Sequence, residues 1–460
     1  MEFGEPDRYT AARPCFSPDG RHILYAQDRR VLVREAESQA LVSLFLIAGE
    51  ATLVAWSPDS DHFLVLMRSG QVSVQVFSLS DPSWGCSIAE GAAGCVMARW
   101  APSGTHVLLT ADFCARLSVW SLQTRECTFL PGPKHPDKGL AFHPDGGTVA
   151  VLQRSACKDV LTVYSTETWE PVASWMPETL DAADLAWSPS GESLAVWEGV
   201  AARHALLLYG PDGGEPQAEV EVTGGLGLAV RELAWSPSGQ LLAWGDWAGA
   251  VRLGGALATF TDIAAFQHPD RVVAAEGAAA PVVYREEALE RLAAFDAHRE
   301  NIPPANGREA APPEARSRFV LQALPASLAT ASRGAPVSAR GDPASQAIDG
   351  LWWSHDGHHL ATRVAGKPHV LWIWSTTKLC LISLLVLQHP VTDLCWDPQS
   401  TRLIACSGQA KVYTWTPEGA SCAHIPVPKL RPAHLAWNPT HPCLLLTGKE
   451  SLACAYLSEA

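Results

Sequence analysis

The sequence predicts an all-β protein built from one repeated unit of four short strands. A five-residue pattern recurs nine times: an aromatic residue, a small or polar residue, Pro, Asp or Ser, and Gly or Ser, with looser copies toward the end. Successive copies are 40, 44, 42, 45, 48, 118, 43 and 41 residues apart, so only one interval breaks the period. The chain of 460 residues also has 18 Trp against 12 Phe and 7 Tyr. The aromatic residues that open the copies are Phe16, Trp56, Trp100, Phe142, Trp187, Trp235, Trp353, Trp396 and Trp437.

Each copy predicts a tight turn between two strands. Proline sets φ near −65° for the first central turn position, and Asp or Ser followed by Gly completes the turn. Apolar runs of strand length lie on both sides, as in residues 185–187 and 193–197. A second aromatic residue, such as Trp120 or Trp374, closes a third alternating strand. A fourth apolar stretch, such as residues 380–387, precedes the next copy.

Four short strands in each 40 to 48 residues predict the blades of a β-propeller. One twisted sheet cannot bury both of its faces alone, whereas radial stacking covers each sheet with the next. Seven of the nine motif aromatics are Trp, and we expect their rings to fill the space between blades. Nine clear copies and one weak unit favour a single large ring of about nine blades. A ring of seven or eight blades with a partial second lobe is the alternative.

The interval of 118 residues predicts a long, partly disordered insertion. Residues 1–285 would hold blades one to six and the start of a degenerate blade. Residues 286–345 would form the insertion, a short helix over 287–295 followed by a flexible loop, which is either a tolerated surface element or a docking element. Residues 346–460 would supply the C-terminal blades and close the ring with the N-terminus. The strands expected in the degenerate blade are residues 263–266, 272–276, 282–285 and 318–324.

Composition excludes several classes of protein. A hydrophobic fraction of 47% with only 18% charged residues excludes disorder throughout the chain. The net charge of −14 argues against a dedicated nucleic-acid binder, because phosphate contacts need a basic surface. The first residues lack a basic and an apolar region, and apolar runs are too short to span a membrane. We therefore expect a cytoplasmic protein whose 12 scattered Cys are reduced.

Motifs for catalysis, cofactors and metals are missing from the sequence. There is no GxSxG elbow, P-loop or HExxH pattern. A run beginning at Gly225 resembles the start of a dinucleotide fingerprint but lacks its third Gly. His355, His358 and His359 cluster near one turn without a Cys at ligand spacing, so a solvated turn is favoured over a zinc site. We therefore predict a non-enzymatic protein with no cofactor and no metal.

A rigid propeller without catalytic motifs predicts a platform for protein partners. Trp is enriched at binding hot spots, so the Trp residues outside the repeated motif are candidates for partner contacts. Trp247 is the first of them, in a Gly-Asp-Trp-Ala-Gly turn between a second and a third strand. Trp244 and Trp197 are further candidates, although the apolar runs around them favour burial.

The repeat resembles the WD-repeat family, with departures. Third strands end in Trp120-Ser, Tyr164-Ser and Trp374-Ser rather than Trp-Asp, and the Gly-His pair that opens a repeat is missing. The family's buried His–Asp network is therefore expected to be mostly lost, which leaves apolar packing to hold the blades together. Several stretches are similar to centrosomal and spindle-pole WD-repeat proteins of the WD-repeat-protein-eight type, the WRAP family of centriolar satellites. These stretches are residues 82–94, 116–122, 157–159, 194–197 and 230–242.

That resemblance implies a scaffold rather than an enzyme. The family works with a coiled-coil microtubule-anchoring protein of the Msd or afadin-interacting type, and in fungi with a minus-end-directed kinesin. Together they tether microtubule minus ends at centrosomes or spindle poles and assist spindle and cilium assembly. Tubulin tails are acidic, so a chain of charge −14 is expected to reach microtubules only through its partner. The rival interpretations are an adaptor subunit of a ubiquitin-ligase or RNA-processing complex, and a propeller hydrolase.

Overall fold

The computed structural model is an all-β ring of nine blades, as the sequence predicts. In seven of the nine blades the strands follow their order in the chain, and neighbouring blades touch through their first strands, which therefore line the centre of the ring. Fourth strands consequently lie at the perimeter. The structure describes residues 1–67, 73–91, 94–199, 205–221, 230–255, 260–273, 280–288, 316–328 and 343–457.

Blades one to four are antiparallel meanders formed by β3–β6, β7–β10, β11–β14 and β15–β18. Their second and third strands are the most buried, because each is covered on both faces by a neighbouring blade. The strands up to this point are β1 Glu2–Phe3, β2 Asp7–Arg8, β3 Cys15–Phe16, β4 His22–Gln27, β5 Arg30–Glu35, β6 Leu41–Leu46, β7 Ala51–Trp56, β8 His62–Met67, β9 Val74–Ser78, β10 Gly85–Ile88, β11 Met97–Trp100, β12 His106–Thr110, β13 Arg116–Ser121, β14 Cys127–Pro131, β15 Leu140–Phe142, β16 Thr148–Ser155, β17 Lys158–Ser165 and β18 Pro171–Trp175.

Blades five and six are formed by β19–β22 and β23–β26, blades seven and eight by β31–β34 and β35–β38, and blade nine by β39–β41 with β1. One short helix, α1 (Pro343–Gln346), precedes blade seven. The remaining strands are β19 Ala182–Trp187, β20 Leu194–Glu198, β21 Ala205–Tyr209, β22 Ala218–Glu221, β23 Val230–Trp235, β24 Leu241–Asp246, β25 Ala250–Gly255, β26 Thr261–Gln267, β27 Arg271–Val272, β28 Val282–Ala288, β29 Ser317–Gln322, β30 Ala326–Ser327, β31 Ile348–Trp353, β32 His359–Val364, β33 Val370–Ser375, β34 Cys380–Val386, β35 Asp393–Trp396, β36 Leu403–Cys406, β37 Lys411–Thr416, β38 Gly419–His424, β39 His434–Trp437, β40 Cys443–Thr447 and β41 Ser451–Tyr456.

The ring is closed by the N-terminal segment. Strand β1 pairs antiparallel with β41, placing Glu2 opposite Tyr456 and Phe3 opposite Ala455. Strand β2 pairs with the same strand farther along, through Asp7 opposite Leu452. The last blade thus takes its outer strand from the beginning of the chain, which joins the two ends of the ring by backbone hydrogen bonds.

Within the described residues, the expected degenerate blade does not form. Residues 263–266 belong to β26, the fourth strand of blade six, and β28 pairs in parallel with β34 of blade seven. Strand β29 then pairs with β28, so the two segments widen blade seven to six strands. They add to an existing edge because that edge offers unpaired backbone groups, whereas a separate blade would need two more strands. The helix predicted over 287–295 lies outside the described residues, apart from its first two, which end β28.

The second residue of the repeated motif is a buried hydrogen-bonding centre in five blades. Ser354 is fully buried, and its hydroxyl accepts a hydrogen bond from the backbone N–H of His359 at 2.9 Å. The same hydroxyl donates to Asp356 within the turn. A side chain therefore closes each of these hairpins by replacing a backbone partner. Equivalent hydroxyls are those of Ser17, Ser57, Ser188 and Ser236.

Ser354→Ala should lower the free energy of unfolding by about 1–3 kcal/mol, because the N–H of His359 loses its acceptor beneath the turn. Urea denaturation measures this loss. Ser38→Ala is the matched control, since Ser38 lies in an exposed turn at the perimeter of blade one. A Ser354→Ala variant as stable as the control would show that the buried hydroxyl does not hold the hairpin.

Polar contacts, and not only apolar packing, join the blades. The indole N–H of Trp396 donates to the carbonyl of Trp352 in the preceding blade at 2.9 Å. The motif residues Trp100, Trp235 and Trp353 make the same kind of bond to Ala55, Ala186 and Ala234, at 3.1 to 3.3 Å. The expectation of purely apolar cohesion is therefore incomplete. Each of these rings fills the gap between blades and also fixes its neighbour's first strand.

Candidate protein-interaction face

On one face of the ring, neighbouring turns form hydrogen bonds with each other, which leaves the other face as the better candidate for partner contacts. Antiparallel strands reverse direction at each turn, so the repeated motif turns lie on one face, the motif face. Turns between second and third strands, and connections between blades, lie on the opposite face, which we call the loop face. On the motif face neighbouring turns bind each other: the Asn438 amide donates to the carbonyl of Gly20 at 2.6 Å, and the N–H of Asp19 donates to Ser60 at 3.0 Å. The loop face is therefore the better candidate for partner contacts.

Two of the three candidate Trp residues are core residues. Trp244 is 0% exposed in β24, and Trp197 is 9% exposed in β20. Both pack in one apolar cluster between blades five and six, and Phe260 lies with its ring centroid 5.7 Å from that of Trp244. Burial follows from their places on central strands, both faces of which are covered by blades. This finding corrects the expectation that these two residues contact a partner.

Trp247 lies on the loop face, in the turn between the second and third strands of blade six. It is half-buried, and the guanidinium of Arg231 lies 4.8 Å from its ring centroid. The preceding Asp246 shapes the turn, because one carboxylate oxygen accepts hydrogen bonds from Ala248 and Ala250, both at 2.9 Å. Within the described residues, the other oxygen has no hydrogen-bond partner. Burial raises the pKa of this carboxyl. The role of Trp247 in partner binding remains a prediction.

Phe113 is a loop-face residue that sequence reasoning missed. It is 100% exposed at the tip of the turn Asp112–Cys114 in blade three, with φ of +60°. A bulky residue in the left-handed region is strained, and such strain is concentrated at functional positions. The criterion that selected Trp247, an aromatic residue between second and third strands, also applies to Phe113. Other exposed apolar residues in loop-face connections are Val96, Met176 and Leu180.

A buried lysine organises the loop-face connections of blades three to five. The ammonium of Lys134 contacts Asp159 at 2.9 Å, Asp181 at 2.6 Å and the carbonyl of Ala182 at 2.7 Å. Arg154 pairs with the same Asp181 at 2.6 Å. A lysine that is almost completely buried is stable only when it is paired, and this one links two connections to the sheet between them. The cluster thus fixes the surface on which Leu180 is displayed.

A second buried ion pair joins the antiparallel pair of strands β28 and β29, which we call the insertion hairpin, to blade eight. Glu286 on β28 binds the ammonium of Lys411 at 3.0 Å and the hydroxyl of Tyr413 at 3.0 Å. Ser317 and the backbone N–H of Gln388 also donate to it, at 2.6 and 2.9 Å. Burial raises the pKa of this carboxyl, but the hydrogen bonds and the Lys411 charge outweigh burial and hold its pKa below the usual value. The hairpin is therefore anchored as part of the ring.

One blade retains most of the His-centred network that was expected to be lost. His268 lies between blades six and seven, where Nδ1–H donates to the carbonyl of Gly249 at 2.8 Å. Its Nε2 accepts from the hydroxyl of Thr362 at 2.7 Å, and Trp374 donates to the same hydroxyl oxygen at 2.9 Å. A carbonyl thus takes the place of the Asp carboxylate. These acceptor and donor roles require a neutral imidazole with its proton on Nδ1.

Acidification should destabilise the protein through His268. Burial lowers the pKa of this imidazole to about 4, while an unfolded His titrates near 6.5. Because the folded pKa is depressed, the contribution of neutral His268 is complete above about pH 6.5 and is lost as pH falls toward 4. Between pH 7 and 5, the wild type should lose about 2 kcal/mol more than His268→Gln. Urea denaturation at several pH values tests this difference, and parallel profiles would contradict it.

Within the described residues there is no group of three His, Cys, Asp or Glu side chains that could hold a metal ion. Over the same ranges, no helix is long and apolar enough to cross a membrane. Among the exposed groups on the loop face are the aromatic ring of Phe113 and the aliphatic side chains of Val96, Met176 and Leu180, groups suited to protein contacts.

Comparison with known proteins supports the repeat assignment. The family described as "WD domain, G-beta repeat" matches residues 381–416, from β34 to β37. The mouse (Mus musculus) "WD repeat-containing protein WRAP73" is 32% identical over 459 residues, covering 99% of this chain and 96% of the mouse protein. A Schizosaccharomyces pombe protein, "Uncharacterized WD repeat-containing protein C32H8.09", is 26% identical over 167 residues, 34% of each chain.

Solved structures agree with the fold. A crystal structure of "the eukaryotic initiation factor" superposes with a TM-score of 0.60 at 11% identity, covering 92% of this chain and 91% of that one. The "C-Terminal WD40 Domain Of Sif2" superposes with a TM-score of 0.50 at 12% identity, covering 92% and 98%. At such identities the likeness concerns the fold alone. The full-length identity to the mouse protein goes further, and the chain belongs to the WRAP73 family of WD-repeat propeller proteins.

Proposed function

We propose that the chain is a non-enzymatic scaffold of the centrosome, its satellites and the spindle pole. Together with a coiled-coil microtubule-anchoring protein of the Msd or afadin-interacting type, it tethers microtubule minus ends and supports spindle and cilium assembly. A minus-end-directed kinesin is a further candidate partner. The observation that carries the proposal is the 32% identity to mouse WRAP73 over nearly the whole length of both chains.

The loop face supports a coiled-coil partner. A helix of such a partner that is not paired in its coiled coil offers apolar side chains three and four residues apart, and these need separate apolar sites on the surface that receives them. Phe113 is exposed in a turn of blade three, and Met176 and Leu180 are both exposed in the connection between blades four and five. The buried Lys134 cluster holds two of the connections rigidly, which reduces the entropy lost on binding.

The partner is tested by affinity purification of the full chain at native levels. We expect a centrosomal coiled-coil protein to co-purify with the wild type and to be lost with the double substitution Phe113→Asp and Leu180→Asp. Val172→Asp is the matched control, because Val172 is equally exposed but lies on the perimeter strand β18. Recovery of cullin adaptors or ribonucleoproteins without centrosomal coiled coils would favour the rival adaptor function.

Microtubule contact is proposed to be indirect. The net charge of −14 should repel the acidic tails of tubulin. The purified protein alone should therefore stay in the supernatant when microtubules are sedimented at physiological salt, and should move to the pellet once the coiled-coil partner is added. Sedimentation of the protein alone would overturn this part of the proposal.

A further inference from the structure

The outer strand of blade one lacks the protection that the other blades have. An exposed edge strand offers unpaired backbone groups, and proteins block it with charge, Pro, short length or a covering segment. Strands β28 and β1 cover blades seven and nine, and β29 packs against β38 of blade eight. The other blades are protected by the four-residue length of β10 and by Pro131 in β14, Pro171 in β18, Glu219 in β22, and Asp262 in β26. Strand β6, with the sequence Leu-Val-Ser-Leu-Phe-Leu, has neither charge nor Pro nor cover.

Strand β6 is also the most apolar exposed strand at the described perimeter. Leu41, Val42, Leu44 and Leu46 are 44 to 72% exposed, whereas Phe45 points inward against blade two. A bulge opposite Arg34 interrupts the pairing with β5 and lets two successive residues, Leu41 and Val42, face solvent. An apolar edge of this kind is stable in water only when another strand covers it or when charges prevent pairing.

Charges of opposite sign flank the two ends of β6. Arg29 in the turn and Arg30 at the start of β5 are exposed beside Leu46, with Asp28 and Glu50 exposed next to them, and neither Arg forms an ion pair with a described residue. Glu35 at the end of β5 and Glu37 in the following turn are exposed beside Leu41. Next to Leu46, a depression of ≈ 560 Å³ leaves room for an incoming turn. It is lined by Gln27, Asp28, Arg29, Arg30, Leu46 and Glu50.

We propose that β6 pairs antiparallel with β6 of a second copy of this chain about a two-fold axis. Antiparallel pairing brings Leu46 of one copy toward Leu41 of the other, so the Arg29–Arg30 turn of each copy meets the Glu35–Glu37 turn of its mate. Only in this orientation can Arg29 and Arg30 form ion pairs with Glu35 and Glu37 of the mate, which is why a second copy fits better than an unrelated strand. The two blades then form one continuous eight-stranded sheet, and the loop faces remain free. This inference does not depend on the proposed function.

The first test is the oligomeric state of the purified full chain. Sedimentation equilibrium at about 0.15 M salt, where long-range repulsion between the acidic copies is screened, should show a reversible dimer. Leu44→Lys with Leu46→Lys should raise the dissociation constant about tenfold or more, because charge on the edge opposes pairing. Val172→Lys is the matched control on the outer strand of blade four and should leave dimerisation unchanged. A wild type that stays monomeric up to about 100 μM overturns the proposal, as does a dimer unaffected by the Lys pair.

The second test swaps the charges and separates this geometry from any other dimer. Arg29→Glu with Arg30→Glu, and Glu35→Arg with Glu37→Arg, should each weaken self-association, because like charges then face each other at both ends of the strand pair. An equimolar mixture of the two variants should form a heterodimer again, since each end then holds opposite charges. Failure of the mixture to associate would overturn the antiparallel arrangement. Circular dichroism and the melting temperature establish that each variant is folded.

Discussion

Trp244→Ala should lower the free energy of unfolding by about 3–5 kcal/mol, the range for removing a buried aromatic ring from a core. The ring is 0% exposed and fills the apolar cluster between blades five and six. Strand β24 cannot move to fill the cavity because backbone hydrogen bonds hold it between β23 and β25. Urea denaturation at pH 7 measures the loss. Trp244→Phe should cost clearly less, since it keeps an aromatic ring and the indole N–H has no partner among the described residues.

Trp247→Ala is the informative comparison for the same turn. Its ring is half-buried and held by the Arg231 guanidinium at 4.8 Å, so its removal should cost about 1 kcal/mol. If Trp247 contacts a partner, capture of that partner should fall while the melting temperature hardly changes. Equal losses of stability in the two Ala variants would show that the turn of blade six is as well packed as the core and is no recognition element.

Lys411→Met should destabilise the protein by about 3–5 kcal/mol, because it leaves Glu286 buried without its counter-charge. The side chains of Lys411 and Glu286 are only 7% and 0% exposed, so water cannot replace the lost partner. Adding Glu286→Gln to the same variant should restore most of the stability, since the amide oxygen can still accept from Tyr413 and the N–H of Gln388 while the amide NH₂ donates to the Ser317 hydroxyl. Equilibrium unfolding of both variants measures the difference.

Arg252→Met provides the reference for this comparison. Arg252 pairs with Asp262 at 3.2 Å, but that pair is partly solvated, and its loss should cost no more than about 1 kcal/mol. A Lys411→Met variant no more damaging than Arg252→Met would mean that Glu286 is neutral in the folded protein. The pH dependence gives a second measure. The deficit of Lys411→Met should shrink in acid, where Glu286 takes up a proton and no longer needs a counter-charge.

The ring of nine blades could be predicted because its determinant is local and repeated. A Pro-containing turn with a flanking aromatic residue depends only on neighbouring residues. Because the pattern occurs nine times, an imperfect match in any one copy does not change the prediction. The role of the Ser354 hydroxyl could not be predicted from the pattern. The pattern identifies the position as small or polar, but the hydroxyl becomes a hydrogen-bond acceptor only when the hairpin closes. The indole bonds of Trp396 and its equivalents likewise depend on how one blade faces the next.

The insertion and the candidate contact residues were less predictable. Strand β28 reads as an ordinary strand, but its parallel partner β34 lies about a hundred residues away, and no local signal selects that partner. Trp244 and Trp247 are three residues apart in the same sequence context, yet one is a strand residue covered on both faces and the other lies in a turn. His268 was overlooked because its Thr362 and Trp374 partners belong to a different repeat, beyond the insertion.

The closure of the ring by β1 has a consequence for synthesis of the chain. Phe3 pairs with Ala455, so the first strand leaves the ribosome about 450 residues before its partner exists. At roughly 5–20 residues per second, this delay lasts tens of seconds. During that time the first blade faces water where the ninth will later cover it, with Tyr25 and Leu32 uncovered. Chaperones that bind apolar strands should therefore be engaged from early in translation until β41 is released, and the time needed for folding is set by translation.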